Sequence, residues 1–148
     1  MTDKNGVELK TGQIVEIAGA YFKNDNGLWF IAHSPGDPCW TGSDYSLHRV
    51  AKSGRPSTAK DNLGFWPICI FTNDRAKRYE GNAWNKEHAT IEVKDGIKTD
   101  GIKAYFRQEA EDHAQEIARL ARTFGRDSEA AEPHRRAVDF LRGLLAEI

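Results

Sequence analysis

The sequence is short of cysteine, of long apolar runs and of net charge, and each shortage excludes a class of protein. Two cysteines in 148 residues do not make the disulfide framework of a small secreted domain. No apolar run approaches the ~20 residues of a membrane-spanning helix. A net charge of -1 gives no overall positive field for a phosphate backbone. We therefore expect a cytoplasmic protein that enters no membrane and whose nucleic-acid contacts, if it has any, form one local patch.

Motifs for nucleotide and metal chemistry are also missing. The chain has neither a Walker-type phosphate loop nor a Gly-x-Gly-x-x-Gly fingerprint. His33, Cys39, His48 and Cys69 offer nitrogen and sulfur atoms, but none of their spacings is the short one typical of structural zinc sites. We expect no metal and no cofactor. A Cys39 nucleophile with His33 or His48 as its base, or acid-base work by paired Asp37 and Asp44, keeps a small enzyme as an alternative, although no oxyanion-forming glycine run surrounds Cys39.

Residues 1–97 predict a β-rich domain. Five segments have the alternation or the apolar content of strands: 13–18, 28–33, 45–52, 64–71 and 89–94. Asn26-Gly27 favours a tight hairpin turn between the first two strands, and Gly19 is placed to bend the first of them. Pro67 restricts the fourth strand to a sheet edge or a bulge.

These five strands, with a helix inserted at about 72–86, predict a small SH3-like antiparallel β-barrel or half-barrel. Trp29 and Phe30 lie inside an apolar run and are expected in its core. Together with the helical residues that follow, the predicted fold class is α+β.

Residues 98–148 predict a helical hairpin. In its first helix one stripe recurs every three or four positions: Ile102, Phe106, Ala110, His113, Ile117, Leu120 and Phe124. Thr99 or Asp100 can cap the start of this helix and Gly125 its end. Pro133 suits the first position of the second helix. We expect the hairpin to pack on the barrel or to form a homodimer through residues 102–148, with His113 as a core or interface group rather than a ligand.

Aromatic and charged residues outside the apolar runs are the candidates for binding. Rings in polar or glycine-rich and proline-rich surroundings are typical of binding rims, and the basic segment 48–60 can receive a phosphate. The candidate ligand-binding residues are Tyr21, Asp37, Trp40, Tyr45, Arg49, Lys52, Arg55, Lys60 and Trp84. Two prolines and Gly36 are expected to hold Asp37 and Trp40 in a stiff lip.

Two stretches resemble known groups of proteins. The opening LKTGQIVEI resembles the first strand of SH3-like small barrels. The text GAYFKNDNGLWFIAHSPGDPCW, followed by DYSL and TNDRAKRYEGNAWNKEHATIEV, resembles uncharacterised accessory proteins of bacterial phages and mobile elements. This resemblance implies a protein that binds host factors, nucleic acid or signalling nucleotides, including those of host defence.

The predicted function is non-enzymatic binding of a host protein or a phosphate-bearing ligand through the barrel rim. Three alternatives remain: nucleic-acid binding through residues 48–60, sequestration of a signalling nucleotide, and a small enzyme that depends on Cys39 or Asp37.

Overall fold

The computed structural model of the chain describes residues 2–33, 45–57, 65–67, 84–85 and 87–148. The chain divides into two compact units, Met1–Thr99 and Asp100–Ile148. The first contains an antiparallel sheet and the second two helices. The protein is therefore α+β.

The sheet unit has five described strands: β1 Ile14–Ala18, β2 Gly27–His33, β3 Tyr45–Arg49, β4 Phe65–Pro67 and β5 Thr90–Val93. All pairs are antiparallel, in the order β4-β3-β2-β1-β5. The pairing of β1 with β2 confirms the predicted first hairpin, and β4, which contains Pro67, lies at an edge. Of the predicted barrel or half-barrel, the closed barrel is wrong for the described strands: β5 pairs with the outer side of β1, and the described parts of β4 and β5 lie at opposite edges of an open sheet.

The connection between β1 and β2 differs from the predicted tight turn. Gly27 has a φ of +122°, but Asn26 has a φ of -74°, whereas the expected turn needs positive φ at both central residues. The chain instead makes a 3-10 turn at Lys23–Asp25. The Asn26 side chain is used elsewhere, because its Oδ1 accepts the Ala20 N–H at 2.9 Å. The result is a longer loop that contains Tyr21 and Phe22.

Side chains on both faces of the central strands are buried. One face carries a single apolar cluster: Leu9, Val15, Ile17, Ala20, Trp29, Ile31, Leu47, Ala89 and Ile91. On the other face the register places Ile14, Phe30, His48 and Phe65 in one row across four strands, and the first three are almost fully buried. Trp29 and Phe30 are core residues, as predicted.

The N-terminal segment covers the outer edge of β5. Oδ1 of the buried Asp3 accepts the backbone N–H groups of Asn5 and Val7, and its Oδ2 accepts that of Val93 at 2.9 Å. The Lys4 N–H donates to the Ile91 carbonyl at 2.9 Å. Edge strands with unpaired backbone groups invite intermolecular pairing, and these contacts occupy two such groups.

The helical unit consists of α1, Asp100–Phe124, and α2, Glu132–Glu147, which pack against each other. Gly125 ends α1 as predicted: its φ is +93° and its N–H donates to the Ala121 carbonyl at 2.9 Å. The second helix begins at Glu132, one residue before Pro133. Most of the predicted stripe is buried or half-buried, but Phe124, at the last position of α1, is exposed.

No helix in the described part of the chain combines the length and the apolar character needed to cross a bilayer. The predicted helix at 72–86 lies outside the described residues, apart from Trp84 and Asn85, which are helical.

Candidate functional site

The predicted binding residues do not all belong to the described structure. Asp37, Trp40 and Lys60 lie outside the described residues, as does the lip that contains the first two. Tyr45 is described by its backbone, which pairs with His33 in the sheet. The remaining five candidates occupy three different places.

Tyr21 and Trp84, which were predicted separately, come together with Phe22 in an exposed cluster. The rings of Tyr21 and Phe22 meet edge to face with centroids 5.0 Å apart, and those of Tyr21 and Trp84 lie 6.3 Å apart. The exposed fractions are 57% for Tyr21, 61% for Phe22 and 47% for Trp84. We call these three residues the aromatic patch.

The aromatic patch is anchored through polar groups. The Tyr21 N–H donates to Oδ1 of the buried Asn85 at 2.9 Å, and the Trp84 Nε1–H donates to the Gly19 carbonyl at 3.2 Å. Gly19 has a φ of +72°, and a Cβ atom there would lie 2.4 Å from the His88 carbonyl oxygen. Only glycine allows this close approach of the two chain segments. The segments that carry the rings are therefore held in place without burial of the rings.

This arrangement suits binding more than catalysis. Tryptophan and tyrosine are enriched at the energetic centres of protein interfaces, since their rings bury a large area with few rotatable bonds. The His88 ring lies against Trp84 with centroids 4.0 Å apart and extends the aromatic surface. Exposed rings on a fixed backbone can receive an apolar side chain or a planar group of a partner.

Arg49 has a structural role. Its guanidinium lies 4.2 Å from the centre of the Trp29 ring and donates to the carbonyl oxygens of Asn24 and Asn26. It thereby ties β3 to the loop between β1 and β2. Burial lowers the pKa of Arg49 and raises that of Asp25, and the attraction between the two charges opposes both shifts. At least two of its N–H donors are thus used within the sheet unit, and a binding role for Arg49 stays a prediction.

Lys52 and Arg55 lie in an exposed turn after β3, which we call the basic turn, residues 51–55. The turn is closed by a backbone hydrogen bond from Ala51 to the Arg55 carbonyl at 2.8 Å. A Cβ atom at Gly54 would lie 1.9 Å from the Lys98 carbonyl oxygen, so Lys98 adjoins the turn. In the described ranges no carboxylate pairs with Lys52, Arg55 or Lys98. Within those ranges no ring contact, hydrogen bond or ion pair joins the aromatic patch to the basic turn.

Among the described residues, no catalytic pair supports the enzyme alternative. His48 is buried in the sheet, where its Nδ1 lies 3.0 Å from the Arg49 carbonyl and its ring meets Phe65 edge to face. Cys39 and Asp37 lie outside the described residues. Where side chains are described, no three histidine, cysteine, aspartate or glutamate residues form a group that could hold a metal ion.

Comparison with protein-family models, curated proteins and solved structures found no match for the chain. The resemblances to SH3-like barrels and to proteins of mobile elements therefore stay predictions.

Sequence reasoning did not select Phe22, Asn85 or His88. Phe22 follows Tyr21 in a polar loop, and this position in the sequence could have indicated an exposed ring. Asn85 and the His88 carbonyl gave no such signal, because they meet residues more than sixty positions earlier in the chain. The His88 ring contacts Trp84, which is nearby in sequence.

Proposed function

We propose that the protein is a non-enzymatic binding module and that the aromatic patch binds a protein partner. The observation that carries this proposal is the combination of three exposed rings with polar anchors that hold their backbone. Large exposed aromatic groups are unfavourable in water unless a partner covers them, and contiguous ones mark interaction sites. The near-zero net charge favours contact through apolar surface over long-range electrostatic attraction.

The proposed context is that of a small accessory protein of a phage or mobile element, with a host protein as the partner. An SH3-like half-barrel is the proposed identity of the open sheet. Both follow from the sequence resemblance, and antagonism of host defence is the role it implies.

The test begins with affinity purification of the full chain from its native cell, with mass spectrometry of captured proteins and small molecules. The partner that is enriched is then purified, and its affinity is measured by calorimetry for the wild type and for Phe22→Ala. Phe22 is the best position because its ring contacts Tyr21 while its backbone carbonyl, which accepts the Asp25 N–H at 3.0 Å, is unchanged. We expect a loss of at least about tenfold, equivalent to ~1.4 kcal/mol.

Val7→Ala is the matched control, since Val7 is also an exposed apolar residue but lies in the N-terminal segment. It should leave the affinity unchanged. If Phe22→Ala and Tyr21→Ala both bind the purified partner as tightly as the wild type, the aromatic patch is not the binding surface.

A second candidate function is binding of a phosphate-bearing ligand through the basic turn. It is favoured by the absence of a paired carboxylate beside Lys52, Arg55 and Lys98 in the described residues. For nucleic acid, affinity should fall steeply with added salt, and Lys52→Ala with Arg55→Ala should weaken it for every sequence tested. A signalling nucleotide should raise the melting temperature of the wild type. A flat salt response together with an unchanged melting temperature would remove this candidate.

A homodimer through residues 102–148 is a separate proposal about assembly. Light scattering at working concentration tests it directly, and a monomeric mass would exclude it.

A further inference from the structure

Two histidines from different helices face each other in the helical unit. Nδ1 of His113 on α1 lies 2.9 Å from Nδ1 of His134 on α2, and the ring centroids are 5.1 Å apart. Both side chains are only partly buried, with 31% of the His113 side chain exposed. The pair therefore lies where solvent and solutes reach it.

The geometry of the pair limits which of its nitrogens can carry a proton. Two imidazole nitrogens can share a hydrogen bond only when one carries a proton and the other does not. Oε2 of Glu109 lies 3.8 Å from Nε2 of His113, beside the ring nitrogen that does not face His134. One of the two Nδ1 atoms carries the shared proton and the other accepts it. A carboxylate behind a histidine is also the usual outer-shell partner that orients a metal-binding imidazole.

Carboxylates face both members of the pair. Glu109 faces His113, and Glu116 of α1 interacts electrostatically with His134. The hydrogen bond from Arg119 is the main reason that the pKa of Glu116 lies below its usual value, and His134 lowers it further. Arg119 offsets the charge of Glu116, so Glu109 is the carboxylate that most favours a cation at the pair.

The distance between the two nitrogens allows both to bind one metal ion at nearly a right angle. With metal–nitrogen bonds of ~2.0–2.1 Å, a nitrogen separation of 2.9 Å subtends roughly 90° at the metal. That is the angle between neighbouring ligands in square-planar and octahedral complexes, and it is smaller than the ~109° of a tetrahedron. Geometries of this kind are typical of Ni²⁺ and Cu²⁺. Each imidazole ring would have to turn so that its lone pair points off the line between the nitrogens.

We propose that His113 and His134 form a two-nitrogen site for a divalent transition-metal ion of the Ni²⁺ and Cu²⁺ class, which links α1 to α2. Water completes the coordination, since the described residues provide no third protein ligand. On binding, the histidine that carries the shared Nδ1 proton gives it up there and holds a proton on its Nε2 instead, so both histidines bind through Nδ1 as neutral ligands. This site is independent of the aromatic patch and of the proposed function.

The test is calorimetric titration of the untagged full chain with Ni²⁺ in a non-chelating buffer at neutral pH. Ni²⁺ is the probe because, unlike Cu²⁺, it does not oxidise thiols such as Cys39 and Cys69. We expect one Ni²⁺ per chain and a melting temperature that rises with Ni²⁺ concentration but not with Mg²⁺. Loss of an outer-shell partner typically weakens metal binding by about tenfold. Loss of a direct ligand should weaken it at least as much, so we expect His113→Gln and His134→Gln each to lower the affinity for Ni²⁺ by about tenfold or more.

His88→Gln is the matched control, because His88 is exposed and has no second histidine beside it among the described residues. It should bind Ni²⁺ as the wild type does. Side-chain NMR of the wild type gives a readout that does not depend on the folding of a variant: paramagnetic Ni²⁺ should broaden the ring signals of His113 and His134 before those of His88. Absence of saturable binding, unchanged affinity in either pair variant, or broadening at His88 first would each overturn the proposal and leave the pair as an interhelical hydrogen bond.

Discussion

The indole N–H of Trp84 donates a hydrogen bond to the carbonyl oxygen of Gly19 at 3.2 Å, while the ring remains half exposed. The N–H edge of the indole is thus bonded within the protein, while much of the ring faces solvent. The same division holds for Tyr21, whose backbone N–H is bonded to Asn85 while its ring is exposed. Stability and binding at this patch should therefore respond to different substitutions.

Trp84→Phe and Phe22→Ala should separate the contribution of the Trp84 hydrogen bond to stability from that of the exposed Phe22 ring. Trp84→Phe removes the donor to Gly19 but keeps an aromatic ring, so it should lower the free energy of unfolding by ~1 kcal/mol. Phe22→Ala removes an exposed ring with no hydrogen bond of its own and should change stability by less than about 0.5 kcal/mol. Urea unfolding measures both values. Equal losses would show that the Phe22 ring also stabilises the fold.

Gly19→Ala should destabilise the protein more than Gly96→Ala. Both glycines have positive φ, so alanine costs ~1–2 kcal/mol at either position. At Gly19 the new Cβ also meets the His88 carbonyl, whereas at Gly96 nothing lies within 4 Å. Relief of that overlap requires backbone movement, which should add roughly 1–3 kcal/mol. Chemical unfolding of the two variants gives the difference, and identical losses would contradict the close approach at Gly19.

Arg49→Lys should be destabilising although the charge is kept. Lysine cannot stack a planar group on Trp29 while it donates to two carbonyl oxygens, and charged hydrogen bonds of this kind contribute ~1.5–3 kcal/mol. Arg55→Lys in the exposed basic turn is the control and should stay within about 0.5 kcal/mol of the wild type. The comparison uses the melting temperature and urea unfolding. A neutral result at Arg49 would mean that its contacts with the loop do not stabilise the fold.

Asp3 should make stability depend on acid pH. The backbone N–H of Val93, with those of Val7 and Asn5, lowers the pKa of Asp3 below its ordinary 3.8. Because the folded-state pKa is the lower one, the carboxylate stabilises the fold above the ordinary pKa, and this contribution is lost as the pH falls through the folded value. Asp3→Asn should be less stable than the wild type at pH 7, with the gap narrowing below about pH 4.

Unfolding curves between pH 7 and pH 2.5 measure this gap. Glu8→Gln is the control, since Glu8 is exposed and accepts none of these backbone N–H groups. A gap for Asp3→Asn that stays constant across the range would show that the ionised carboxylate is not what matters.

Features that depend on neighbours in the chain were predicted well. The stripe of α1, the glycine that ends it and the pairing of β1 with β2 follow from periodicity and backbone chemistry. The conformation of Asn26 was predicted incorrectly. Its side-chain oxygen accepts a hydrogen bond from the Ala20 N–H, and its backbone carbonyl accepts one from Arg49. The role of Arg49 was missed for the same reason. The sequence does not distinguish an arginine whose N–H donors face solvent from one whose donors bond to a loop.

The order of residues along the chain specifies an α+β protein, its apolar strands and its two helices, because these depend on interactions over a few positions. It does not specify which distant residues meet. Gly19 and Trp84 are 65 positions apart, and His113 and His134 are 21 apart. Each pair forms because strand order or helix packing brings two segments together, and that packing depends on the whole set of buried contacts rather than on any local pattern. The aromatic patch and the histidine pair are therefore properties of the folded chain.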